Sequence, residues 1–299
     1  MPAMNCETHR TRSAIGCRRM PSAFTLVEML VVIGVITLLL GLLLPALSSV
    51  NNSARKTREL SAARQAMQGY TMYANNNADH VLPGYLDGLS AYGPDKQPLP
   101  NDPSAWRYLW RLAPYLDYNA GVLFANAHNE RYTQWLNQDD YYSISLYPSL
   151  GLNTYWVGGH KQFLLDPGEP TAFVWGKFWV SRLSEVRHTD RLIVFGSARG
   201  QTDIEGPEGG QTTLYDGFHE IRSPYFLNAP DGELQWVESY VQANTPADFG
   251  NMALRFNNQA VTTFVDGHTA LMSERQLKDM RHWANGATSE DWLPEPDLP

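Results

Sequence analysis

Cysteine is nearly missing from this 299-residue chain: Cys6 and Cys17 are the only two, both in the first seventeen residues. A fold stapled by disulfides is excluded. Aromatics are missing from the front. Of 35 Phe, Trp and Tyr, only Phe24 precedes Tyr70. Charge is missing between Met29 and Leu44. Catalytic patterns are missing too. There is no P-loop and no G-x-G-x-x-G, and Gly196-Ser197-Ala198-Arg199-Gly200 has its Ser out of place for a nucleophile elbow. The eight His include no closely spaced pair of a zinc motif. Basic surplus is confined to residues 1–69, with 8 Lys+Arg against 3 Asp+Glu; residues 70–299 carry 15 against 28. That acidic bulk excludes nucleic acid as a partner, because phosphate binding needs a basic face.

What is present falls into zones. Residues 1–23 are polar and basic, with Arg10, Arg12, Arg18 and Arg19. Residues 24–47 form an apolar run broken only by Thr25, Glu28, Gly34, Thr37, Gly41 and Pro45, long enough to cross a bilayer as a helix. Residues 48–78 turn polar but keep a stripe at helical spacing: Val50, Ala54, Leu60, Ala63, Met67, Tyr70 and Ala74. The pattern predicts one helix of about 50 residues, stopping at Asn75-Asn76-Asn77. A secretory signal has a shorter apolar core and a small-residue cleavage site. A simple anchor does not explain Glu28, since a carboxylate near a spanning segment is costly and points to function.

Residues 79–286 read as a globular α+β domain, and 287–299 as a loose tail. Asp102-Pro103 opens a short helix with Trp106, Leu109, Trp110, Ala113 and Leu116 on one face, ended or kinked by Pro114. Strands are predicted at Thr171–Val180, Arg191–Ser197, Leu234–Val241, Met252–Phe256, Ala260–Val265 and His268–Met272. Asn257-Asn258 and Asp266-Gly267 are hairpin turns, the second with positive φ expected at both residues. Ser273-Glu274-Arg275-Gln276 is a capping box for a final helix through Trp283, with Gly286 as its C-terminal cap.

Ala23-Phe24-Thr25-Leu26-Val27-Glu28, after a basic leader and before an apolar run, resembles the prepilin signal of type IV pilins and type II secretion pseudopilins. The resemblance implies a pilin-like fold. A long N-terminal helix, membrane-spanning in its first half, packs on an antiparallel β-sheet, here with an enlarged globular domain. It implies cleavage between Ala23 and Phe24 by a prepilin peptidase and N-methylation of Phe24. Ala23 departs from the family's usual Gly. The family's assembly Glu falls on Glu28, and the Pro that bends the helix on Pro45. Implied partners are the peptidase, other pilin or pseudopilin subunits, an inner-membrane assembly platform and the lipid bilayer. The implied location is the inner membrane, single-pass, with the N-terminus cytoplasmic before cleavage and the globular domain periplasmic or extracellular. Pairing of Glu28 with the Phe24 ammonium of a neighbouring subunit gives the carboxylate a physical role.

A second likeness lies near the C-terminus. Asp266-Gly267-His268 resembles the end of a prepilin-type family whose pattern is a His, nine residues, then Asp-Gly, with Phe256 standing where that His is expected. No cofactor is expected. Asp203, Glu205 and Glu208, in a Gly-rich loop, are weak calcium candidates, and a solvated acidic turn accounts for them as well. The expectation is a structural subunit rather than an enzyme. The rival is a surface-anchored carbohydrate-binding or hydrolytic module, drawn from the nine Trp. Mostly buried Trp would count against sugar binding.

Overall fold

The computed structural model describes residues 25–125, 128–160, 177–204, 211–226, 233–234 and 236–293. The chain divides into two compact units, residues 1–50 and 51–299. The first helix, α1 (Leu26–Asn76), is 51 residues long, matching the expected length, and the division falls within it.

In the first unit, the large apolar side chains described between Leu26 and Val50 are exposed. Over the described side chains no helix is long and apolar enough to cross a membrane. Phe24 and the side chains of Leu42, Pro45 and Ala46, which belong to the expected span, lie outside the described residues.

The second unit is a mixed α+β domain around a five-stranded sheet. Its strands are β1 (Leu150–Asn153), β2 (Ile193–Ser197), β5 (Glu220–Ile221), β8 (Gln259–Phe264) and β9 (Thr269–Ser273), in the order β5-β1-β2-β8-β9. All pairs are antiparallel except β1 with β5. Two ribbons lie apart: β3 (Gly200–Ile204) with β4 (Gln211–Tyr215), and β6 (Tyr225–Phe226) with β7 (Glu233–Leu234). Every residue of β2 is buried, as a central strand covered on both faces requires. Phe195 on β2 meets Tyr70 of α1 edge-on at 5.8 Å and Tyr108 at 5.4 Å. The expected stripe is therefore buried from Ala63 to Ala74, whereas Val50 and Ala54 are exposed.

Several expected elements are corrected. The helix opened by Asp102 is split into α2 (Pro103–Trp106), α3 (Tyr108–Leu112) and a 3-10 turn over Ala113–Leu116. Arg107 between the first two is extended, at ψ 157°, because it bridges to Tyr85. Within Thr171–Val180, the described part forms no strand beyond a single bridge from Val180 to Val157. Among the described residues of Leu234–Val241 only Leu234 is in a strand; Trp236 is instead buried against Phe249 at 4.0 Å. Met252–Phe256 contributes one bridge, Met252 to Ala198, because left-handed Gly250 and Asn251 turn the chain just before it. In these segments, the apolar side chains signal burial rather than ladder pairing. Two helices give no clear sequence pattern: α4 (His128–Asn137) and α5 (Tyr141–Leu146), the latter capped by Asp140, whose side chain accepts from Ser143 N at 2.9 Å.

At the C-terminal end the Ser273–Gln276 capping box is present, but α6 (Glu274–Leu277) is one turn long. Asp279 caps a separate 3-10 turn over Met280–His282, so no helix reaches Gly286 for it to cap. Of the described part of the tail, residues 288–291 are exposed, while Ala287 and Trp292 pack against the core. Glu290 O accepts from Met280 N at 2.9 Å, and Trp292 lies 6.0 Å from Trp156.

Candidate functional site

Ala23 and Phe24 lie outside the described residues. Glu28 is described, and its carboxylate is engaged within its own chain. Glu28 Oε2 accepts from Thr25 N at 2.8 Å and from the Thr25 hydroxyl at 2.7 Å, while Thr25 Oγ1 accepts from Glu28 N at 3.2 Å. This is a capping box at the start of α1, satisfying N–H groups that a helix terminus leaves open. The Thr-x-x-Glu spacing was its available sequence signal. The backbone is helical through Pro45.

The turn motif is brought together around itself. Asp266 Oδ1 lies 2.6 Å from His268 Nδ1 and accepts from His268 N at 3.0 Å; the His268 ring stacks on Phe264 at 4.2 Å. Gly267 N donates to Phe264 O, and only Gly267 of the pair has positive φ, at 91°. The expectation for Asp266 is thus corrected: the connection is a three-residue loop with a left-handed glycine, not a two-residue primed turn. The primed turn is at Asn257 and Asn258, both left-handed (φ 51° and 57°), with Phe256 and Gln259 exchanging two backbone hydrogen bonds of 3.0 Å. Phe256 and Asp266 therefore sit at opposite ends of β8, roughly 20 Å apart at strand rise. Asp266 and Gly267 also line an open groove of about 540 Å³ with Arg64, Met67, Gln68, Thr71 and Met72.

Two charged clusters escaped the sequence reading. Glu59 on α1 is fully buried and pairs with Arg255 Nη1 at 2.8 Å. Ser197 Oγ donates to the same carboxylate and accepts from Val261 N at 2.8 Å. Arg255 also donates to Ala198 O and, at 2.7 Å, to Asp216 O. One ion pair thus joins α1, β2, β8 and the approach to the Asn-Asn turn. Its partners are 196 positions apart in sequence, so no local pattern exposes it.

The second cluster surrounds Glu220. Arg222 donates to Glu220 Oε1 at 2.7 and 3.0 Å, Thr154 to Oε2 at 3.2 Å, and His160 Nε2 lies 3.8 Å away. Burial works against ionising Glu220, but the Arg222 guanidinium outweighs it, and the carboxyl pKa falls to about 2. Burial depresses the adjacent His219 to about 3 and lowers His160. His160 is stacked between Tyr85 and Tyr155, at 5.1 and 5.3 Å. This is a packed polar core with neutral imidazoles.

Among the described residues, no group of three His, Cys, Asp or Glu is placed to hold a metal. Glu205, Glu208 and the Asp203 side chain lie outside the described residues. Of the eight Trp described, Trp110, Trp156, Trp236 and Trp283 are buried; Trp106, Trp135, Trp179 and Trp292 are half-buried against the core. Trp175 lies outside the described residues. Compared with known proteins, the chain matches no family model, no curated protein and no solved structure.

Proposed function

We propose that this chain is a non-enzymatic, pilin- or pseudopilin-like subunit. It is cleaved before Phe24 and N-methylated there, held in the inner membrane by the apolar half of α1, and assembled with like subunits through that helix. The observation that carries the reading is the change of character along α1. The large apolar side chains described from Leu26 to Val50 are exposed, while Ala63, Met67, Tyr70 and Ala74 are buried in the sheet domain. A globular protein gains nothing from exposing so continuous an apolar helix; lipid or neighbouring helices give it a solvent. The capping box at Thr25 and Glu28 supports a helix beginning just after the proposed cut. The half-buried and buried Trp give little support to an aromatic sugar platform.

Mass spectrometry of the N-terminus, with and without an active prepilin peptidase, tests this. The expected product begins at N-methylated Phe24. Intact residues 1–23 in the presence of the active enzyme would overturn the reading.

A further inference from the structure

A small pocket of about 200 Å³ opens beside the β3–β4 ribbon, lined by Arg131, Arg199, Leu214, Tyr215, Asp216 and Gln242. Its two arginines are held differently. Arg199 is 4% exposed; Nη1 donates to Gln242 O at 2.8 Å and Nη2 to Asn244 O at 3.0 Å, while its buried Nε has no hydrogen-bond partner. Arg131 is exposed, its guanidinium 4.9 Å over the Tyr215 ring, which in turn stacks on Tyr147 at 3.8 Å. That cation–π contact fixes the guanidinium without using its N–H donors.

Arg199 is engaged by backbone carbonyls, its Nη2 also donating to Thr245 O at 3.5 Å, so it supplies positive charge behind the opening. The exposed Arg131 guanidinium is the one that suits a carboxylate through paired N–H bonds. The pocket also holds the half-exposed Asp216 carboxylate, whose Oδ1 lies 3.9 Å from Arg255 Nε, and Gln242, whose Oε1 accepts from the Tyr240 hydroxyl at 2.8 Å, leaving its amide N–H groups as donors. A ligand presenting only anionic groups to the pocket would be repelled by the Asp216 carboxylate. A ligand with one carboxylate and several hydroxyls matches the Arg131 guanidinium with an acceptor and the Asp216 carboxylate and Gln242 amide with hydroxyls. The volume is below the ~300 Å³ at which pockets for drug-sized ligands begin, and suits a single sugar ring. We propose that this pocket binds a uronic acid residue of an acidic polysaccharide. Its carboxylate lies on Arg131 with Arg199 behind it, and its hydroxyls on Asp216 and Gln242. The site is independent of how the chain is anchored.

The test is calorimetric titration of the full chain in detergent with oligogalacturonate, oligomannuronate, methyl-esterified oligogalacturonate and inorganic phosphate. Saturable binding of at least one uronate oligomer is expected, with the ester at least tenfold weaker. Arg131→Ala, on the surface, should unfold at the same temperature as the parent and bind at least tenfold more weakly. Arg131→Lys should fall between, keeping the charge but losing the planar fork. No saturable binding of either uronate, full binding by Arg131→Ala, or phosphate binding as tightly as the uronate would each overturn the proposal.

Discussion

Single carboxylates take opposite roles in this chain. Glu59 stands on the polar half of α1 among charged and small residues. Its burial against Arg255 and Ser197 makes it a fastening between helix and sheet. Removing one partner of a buried pair strands the other charge, at a cost of about 3–5 kcal/mol. Glu59→Ala and Arg255→Ala are each expected to lose that much in urea unfolding, and Glu59→Met with Arg255→Leu to recover most of it. Single variants within about 1 kcal/mol of the parent would show that the pair carries no such load. Glu28 is exposed and capped by Thr25. Under the assembly reading, pairing with a neighbour must compete with that cap. Glu28→Ala should leave peptidase cleavage intact and reduce incorporation into assemblies; undiminished incorporation would remove the assembly role.

At the scale of elements, local chemistry was legible wherever it rests on three or four neighbouring residues. The Ser273–Gln276 box, the Asp102 cap and the stop of α1 near Asn76 are all present. The two turns were located correctly, and only the geometry expected at Asp266-Gly267 was not found. Asn257 and Asn258 carry the two positive φ values, and Asp266 is kept in place by its bonds to His268. Strand identity failed where apolar residues were buried by side-chain packing, as at Trp236. Backbone approach was invisible as well. Gly158 has φ of 79°, donates to Val180 O at 2.8 Å, and an added Cβ would lie 2.4 Å from Leu82 O. Gly158→Ala should therefore destabilise the domain by about 1–3 kcal/mol, read as a lowered unfolding midpoint. An unchanged midpoint would mean that the segment relaxes freely.

For the molecule as a whole, the Glu220 cluster sets a response to acid. The unfolded chain protonates His219 below about pH 6.5, while the folded chain refuses that proton until about pH 3. Stability from this residue is full above pH 6.5 and is lost as pH falls through that window. The loss is at most about 1.4 kcal/mol per pH unit. Burial lowers His160 and His282 as well, adding in the same direction. Glu220 contributes only lower down. Its stabilisation is present above the ordinary carboxylate range near 4.3 and is lost as pH falls toward about 2. Denaturant midpoints should fall between pH 6.5 and 4.5, and His219→Phe should flatten part of that slope. A parent profile flat across this interval would contradict the assignment.

The sequence by itself determined the division of the chain: a basic N-terminal segment, an apolar run, an amphipathic stretch, and an acidic aromatic body without cysteine. These are properties of composition and period, which need no partner. Only the tertiary structure decided which charges are buried. Glu59 with Arg255, and His160 with Glu220, come from distant segments. Whether a charge is solvated or paired depends on what the fold places within a few ångströms of it.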